Sequence, residues 1–398
     1  MIKNLIIGLV LSTSIVSAQS LSTILELIEN NNSTIKQQKY NIDVSKTTEE
    51  LSNSWQNPVI GFGFNDINLD NPNSRDLEPM QTQYISYSQV IPTNGKLQTK
   101  TNISRYNSVI DEIKLENLKI KLKSQAISLV YNYILQKEKL TLLYKYLDNL
   151  KKQKELITLL YENGKIDQSK LVSLDLREYK LELKKQKIEY KIAKIHALLE
   201  NLTYEKIDTI TVKENRYNDS VNIDSILDSH PLVQIVKNKI KQQEQKTKLA
   251  KDEKISDVKF TVGYYNRENF DDYISMNLSL PLGLQGREKL QIQQSYTKTK
   301  ALNNQLLALQ QQLKTTIDEL LIKISTSKKN YLMIEEKMIP LNDSLKQSHT
   351  IHLSTNMMNS ISVYESINNR YDLLLLSKDE KLSYLEALSK LQYFKGNL

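Results

Sequence analysis

The sequence predicts a mostly α-helical chain with a small β part, its helices long, antiparallel and coiled-coil-like. Three observations carry that prediction. The 398 residues include only 9 Gly and 7 Pro, too few turn-formers for a compact α/β body. From Lys96 to Leu160 there is neither Gly nor Pro, and apolar residues recur at three- and four-residue steps. Four short segments break this pattern by alternating with period two, as amphipathic strands do.

Composition removes several functions at once. The absence of Cys excludes a disulfide framework, a thiolate metal site, a Cys nucleophile and an N-terminal lipidated Cys. The net charge of +8 comes from 54 basic and 46 acidic residues interleaved along the chain. Such interleaving marks solvated helix faces rather than a phosphate-binding patch, so no nucleic-acid partner is expected.

The chain opens with a basic Met1-Ile2-Lys3, an apolar Leu5 to Val10 extended by Leu11, Ile15 and Val16, and the small pair Ser17-Ala18. This order predicts a secretory signal peptide over 1–18, cleaved before Gln19. The apolar stretch is too short to span a bilayer, and no later stretch reaches ~18 apolar residues. Membrane entry is then possible only as a β-barrel.

The period-two segments are Val59–Ile67, Gln83–Ile91, Val258–Tyr265 and Tyr273–Leu280. In the third, Val258, Phe260, Val262 and Tyr264 oppose Lys259, Thr261, Gly263 and Tyr265. In the fourth, Ile274, Met276, Leu278 and Leu280 oppose Tyr273, Ser275, Asn277 and Ser279. One apolar and one small or polar face is the requirement for a strand that crosses a membrane. The tyrosines Tyr84, Tyr87, Tyr264, Tyr265 and Tyr273 near these strands are expected as membrane-interface aromatics.

The strands come as two pairs, and the pairs repeat. Tyr84-Ile85-Ser86 precedes Pro92 as Tyr273-Ile274-Ser275 precedes Pro281, an offset of 189 residues. Gly95-Lys96 follows the first Pro and Gly286-Arg287 the second, so Pro92, Gly95, Pro281 and Gly286 mark the strand ends. A duplicated unit is implied, with a first repeat over 19–202, an inter-repeat linker over 203–228 and a second repeat over 229–398. The linker carries a small strand signal at Thr209–Val212.

Each pair leads into long helix. The run from Lys96 reaches about 100 Å at ~1.5 Å per residue and breaks at Glu162-Asn163-Gly164, where Gly suits a left-handed helix end. Helix returns from about Ser169 to Asn201 along Leu171, Leu174, Leu181, Ile188, Ile192 and Ile195. The second copy runs from about Lys289 toward Ser348 with a bend at Pro340. It breaks at Thr355-Asn356 and returns over Ile361 to Phe394. His349 and His352 lack a third ligand, His230-Pro231 opens a helix, and no nucleophile, phosphate-loop or dinucleotide motif occurs. An enzyme, a metal site and a cofactor are not expected.

In order and spacing, this organisation resembles the TolC family of outer-membrane efflux proteins across the whole chain after the signal peptide. The matching pieces are Asn57-Pro58, Tyr87 through Lys96 (Tyr-Ser-Gln-Val-Ile-Pro-Thr-Asn-Gly-Lys), Tyr161 through Ile166, His230-Pro231 and Leu278-Ser279-Leu280-Pro281. The resemblance implies a homotrimer whose helices form a trimeric α-barrel in the periplasm of a Gram-negative bacterium. Each chain would give four strands to a twelve-stranded outer-membrane β-barrel in contact with lipid. It also implies an efflux or type I secretion duct that works with an adaptor (membrane fusion) protein and an inner-membrane transporter. Physics points the same way, since four strands cannot close a barrel and lipid-exposed strand edges are forbidden.

Carried over from Asn356, the family's two acidic gate positions fall on Ser362 and Glu365. Only Glu365 keeps the acidic pattern, and Lys170 holds the equivalent site after Gly164. The adaptor-docking tip would comprise Gly164, Lys165 and Ile166 with Asn356, Met357 and Met358. The competing expectation is an exported coiled-coil protein without a pore, such as a periplasmic adaptor. An adaptor would carry one hairpin flanked by Gly-rich β domains, whereas this chain has two hairpins and paired amphipathic strands.

Overall fold

The computed structural model describes residues 19–207, 209–211, 222–283, 285–351 and 359–396. The expected signal peptide, linker residues 208 and 212–221, His352, Thr355, Asn356, Met357 and Met358 lie outside the described residues. Contacts divide the chain into two units, and each draws on both sequence repeats.

One unit holds Lys36–Asn117 and Leu227–Gln312. Its sheet contains β2 (Val59–Asn65), β3 (Thr82–Ile91), β5 (Val258–Asn266) and β6 (Tyr273–Ser279), all antiparallel in the order β2-β3-β5-β6. The two strand pairs predicted from the repeat therefore form one sheet, joined where β3 meets β5. β2 stops two residues before the expected Ile67, because Asp66 turns out of the strand at φ 52°. Most of helix α2 (Ser33–Ser52), the start of α3 (Lys96–Glu162), all of α6 (Pro231–Asp252) and the start of α7 (Arg287–Met333) complete this unit. Small polar residues line their contacts. Ser52 bonds Ser104 at 2.6 Å, and Ser295 bonds both Gln243 (2.7 Å) and Thr247 (2.8 Å). Buried hydroxyls and amides are tolerated here because they satisfy one another.

The other unit holds the described residues within 1–35, 118–226 and 313–398. It contains β1 (Gln19–Ser20), α1 (Leu21–Asn31), the rest of α3, α4 (Gln168–Thr203), β4 (Ile210–Thr211), the start of α5 (Ile223–Ser229), the end of α7, α8 (Ile339–Ile351) and α9 (Asn359–Lys395). The predicted stripe of α4 is buried at Leu174, Leu181, Ile188, Ile192 and Ile195. The strand signal at Thr209–Val212 is realised as β4, in parallel with β1. That partner was not anticipated, since a two-residue strand has no periodicity to read. The bend expected at Pro340 takes a specific form: a π-helical turn, Ile334–Met338, immediately precedes it. Proline supplies no backbone donor, and Ile339 reaches back five residues to the Ile334 carbonyl instead. Among the described residues, no helix is long and apolar enough to cross a membrane.

Candidate functional site

The sheet's register sorts its side chains into two faces. Opposed residues across an antiparallel pair share a face, and successive residues alternate. Phe62, Ile85, Tyr264 and Ile274 form one row, and Ile60, Tyr87, Val262 and Met276 the next. Phe260 and Leu278 continue the same face. These side chains are largely exposed, with Phe62 at 74% and Met276 at 73%. A contiguous apolar face left open on a single chain requires an apolar environment.

The opposite face is small and polar. One row reads Gly61, Ser86, Gly263 and Ser275, and its neighbour Val59, Ser88, Thr261 and Asn277, where Ser88 and Thr261 bond at 2.9 Å. A third row reads Gly63, Tyr84, Tyr265 and Tyr273. The register divides the strand tyrosines between the two faces. Tyr87 and Tyr264 lie on the apolar face, whereas Tyr84, Tyr265 and Tyr273 lie on the polar one, because register rather than sequence neighbourhood decides the side.

The predicted strand-end residues stand where strand becomes helix. Gly95 and Gly286 have φ of 67° and 72°, a left-handed conformation that favours glycine, just before α3 and α7. Lys96 is buried and its ammonium lies 2.7 Å from Asp257, which also accepts the Thr93 backbone N–H at 3.0 Å. That carboxylate ties the start of α3 to the approach to β5.

The first helix break has defined geometry. Gly164 adopts φ 67°, its N–H donates to the Tyr161 carbonyl, and the Lys165 N–H reaches the Leu160 carbonyl, each at 2.9 Å. This is the Schellman arrangement, which satisfies carbonyls left open at a helix end. Asp167 starts α4 by accepting the Ser169 N–H at 2.6 Å. That backbone bond holds its carboxyl below the usual range. Lys165 and Lys170 are exposed, and Ile166 is half-buried. Ser362 and Glu365 both lie in the first turns of α9, Glu365 exposed and Ser362 half-buried.

A polar seam between α3 and α9 was not anticipated. Asn132 donates to Glu386 at 3.2 Å, Lys139 pairs with Asp379 at 2.5 Å, Tyr146 donates to Asp372 at 3.2 Å, and Asn368 donates to Gln153 at 2.7 Å. The α3 members are seven residues apart, and Glu365 stands one further heptad along α9 from Asp372. Arg177 of α4 joins by bonding Tyr146 (2.8 Å) and Asp372 (2.7 Å). Burial pushes the Tyr146 hydroxyl well above its ordinary pKa, so it remains a neutral donor. A tyrosine in an apolar-striped helix reads as ordinary packing, as Tyr131, Tyr133 and Tyr144 do, and the seam gives Tyr146 a polar role instead. The readable signal was a polar residue recurring every seventh position within an apolar helix stripe.

No family model matches the chain, and no curated protein does. Solved structures match it over most of its length. The CmeC outer membrane channel of Campylobacter jejuni has a TM-score of 0.77 at 13% identity, covering 95% of this chain and 86% of that one. The MtrE outer membrane channel of Neisseria gonorrhoeae, in its open state, has a TM-score of 0.76 at 10% identity, covering 94% and 88%. The outer membrane protein VceC of Vibrio cholerae has a TM-score of 0.72 at 12% identity, covering 93% and 96%. With its two strand pairs merged into one two-faced sheet and its long helices matched throughout, the chain has the fold of the TolC-like outer-membrane channels.

Proposed function

We propose that the protein is the outer-membrane duct of a tripartite efflux or type I secretion system, a homotrimer that conducts substrates from the periplasm to the exterior. One observation carries the reading: a four-stranded sheet with one apolar and one polar face, whose edge strands β2 and β6 each pair on one side only, with no second strand partner among the described residues. Unpaired edges are not viable in lipid, and three copies would close twelve strands into a barrel with the apolar face outward. The likeness to solved outer-membrane channels supports this reading. On this reading the protein is a conduit rather than an enzyme. Its helices would extend through the periplasm of a Gram-negative bacterium to meet an adaptor protein and an inner-membrane transporter. The sequence repeats, 19–202 and 229–398, each supply one strand pair and one helical hairpin, with 203–228 between them.

Gating is assigned to the helix breaks. Glu365 would give a ring of three carboxylates favouring cations, with Ser362 and Lys170 setting how strong that ring is. Gly164, Lys165 and Ile166, together with Asn356, Met357 and Met358, would meet the adaptor. The test is purification in detergent followed by reconstitution in planar bilayers. A trimer that forms ion-conducting pores is expected, and a monomer soluble without detergent sinks the proposal. Glu365→Ala should reduce cation selectivity or block by multivalent cations, and unchanged selectivity and block would remove Glu365 from the gate.

A further inference from the structure

We infer that the polar face of the sheet carries a stacking site for planar aromatic cations, formed by Tyr84, Tyr265 and Tyr273. The inference rests on the duct reading, which turns this face toward the lumen. The three rings share one register row across three neighbouring strands. Tyr84 and Tyr265 stack with centroids 5.3 Å apart, and Tyr265 and Tyr273 stack at 4.8 Å with planes only 3° from parallel.

Glycines make room for this arrangement. A Cβ at Gly63 would stand 2.6 Å from the Tyr84 ring, and one at Gly263 would stand 2.8 Å from the Tyr265 ring. Both rings therefore press against bare backbone, which reserves the surface for aromatics. Packing against lipid does not explain the row, because Phe62, Tyr264 and Ile274 occupy the other face.

The chemistry of the row specifies its guest. Stacked phenol faces attract planar rings and, through their quadrupoles, cations. The structure supplies an internal example: the planar Arg267 guanidinium lies 5.2 Å from the Tyr273 ring centre. Tyr273 itself remains 40% exposed. The connections beside the row, residues 66–81 and 267–272, carry seven acidic residues against two basic ones, a bias opposite to the chain's net positive charge. Such a field concentrates cations at that end.

The test measures block of single-channel current by proflavine, a planar aromatic cation, and by tetraethylammonium, a cation without a ring, each added to either side. The triple variant Tyr84→Leu/Tyr265→Leu/Tyr273→Leu should raise the half-blocking proflavine concentration about tenfold, the scale of one aromatic pair. The corresponding triple Phe variant should stay within about twofold of wild type, since the ring faces are retained. Tetraethylammonium should block weakly and equally in all three. Equal proflavine block in the wild-type and Leu pores overturns the inference while leaving the duct intact. Absence of pores in the wild-type protein overturns the duct itself. If the Leu variant does not assemble, the wild-type pore decides: block by tetraethylammonium as strong as by proflavine refutes the stacking site.

Discussion

Two residues of the helical unit show how burial sets the cost of a charge. The ammonium of Lys139 is almost fully covered, whereas its partner Asp379 is half exposed. Removing the carboxylate strands a buried cation, while removing the lysine leaves a carboxylate that water can reach. Asp379→Ala should therefore lower the thermal midpoint in detergent, followed by circular dichroism, by more than Lys139→Met, with a gap of about 1–3 kcal/mol. The reverse order would show that the pair is not read correctly as lysine-buried. His230 gives a pH dependence. It is buried, caps α6 through Nδ1 to the Leu232 N–H, and burial lowers its pKa to about 4. The unfolded imidazole titrates near 6.5, so the unfolded state binds more protons between that pH and 4. Stability is thus full above about 6.5 and falls as pH drops, by up to about 3 kcal/mol. Amide exchange at the first turn of α6 should accelerate over that window beyond its intrinsic rate. In His230→Asn, which can still cap, the profile should flatten.

Among the elements, the sheet makes the sharpest statement, since neighbours in one strand face opposite worlds. Met276 lies on the apolar face and Asn277 on the polar one. In the proposed barrel, Met276→Arg would place a charge in the lipid band at about 2–4 kcal/mol per chain near its centre. Asn277→Arg would place the same charge toward the proposed lumen. The yield of trimer extracted from outer membranes should collapse for the first and persist for the second, and equal yields would refute the facing. This facing was legible in the third and fourth strands, where Phe260, Val262, Ile274 and Met276 alternate cleanly with Thr261, Gly263, Ser275 and Asn277. It was less clear in β2, because Gly61 and Gly63 contribute no polarity to read. The helix stripe of Leu174, Leu181 and Ile188 was equally legible, since one face buries all three. The α3–α9 seam was harder to read: its seven-residue spacing is present in the sequence, but each polar residue alone looks like a surface position. Only the pairing with α9, more than 200 residues away in sequence, reveals Tyr146 or Lys139 as partnered. Two-residue pairings such as β1 with β4 lie below the resolution of any periodic signal.

For the whole molecule, Gly95 and Gly286 stand at matching strand-to-helix junctions, but the compact units cut across the expected repeats. Each unit takes pieces from both repeats, so neither repeat owns a core. A chain carrying only 19–202 would hold β2 and β3 without β5, and a two-stranded ribbon is marginal alone. Expressed separately, the first repeat should yield no membrane-assembled protein, whereas co-expression with the second should restore trimers detected by light scattering in detergent. Recovery of pores from the first repeat alone would contradict the shared sheet.

The open edges of β2 and β6 have a thermodynamic consequence. If other copies supply the backbone bonds those edges lack, as the proposed trimer requires, the fold's stability is inseparable from chain concentration. Its folded fraction is set by mass action, the trimer concentration rising with the third power of the unassembled chain's concentration if three copies close the ring. Dilution, in the two dimensions of a membrane, then acts as a denaturant.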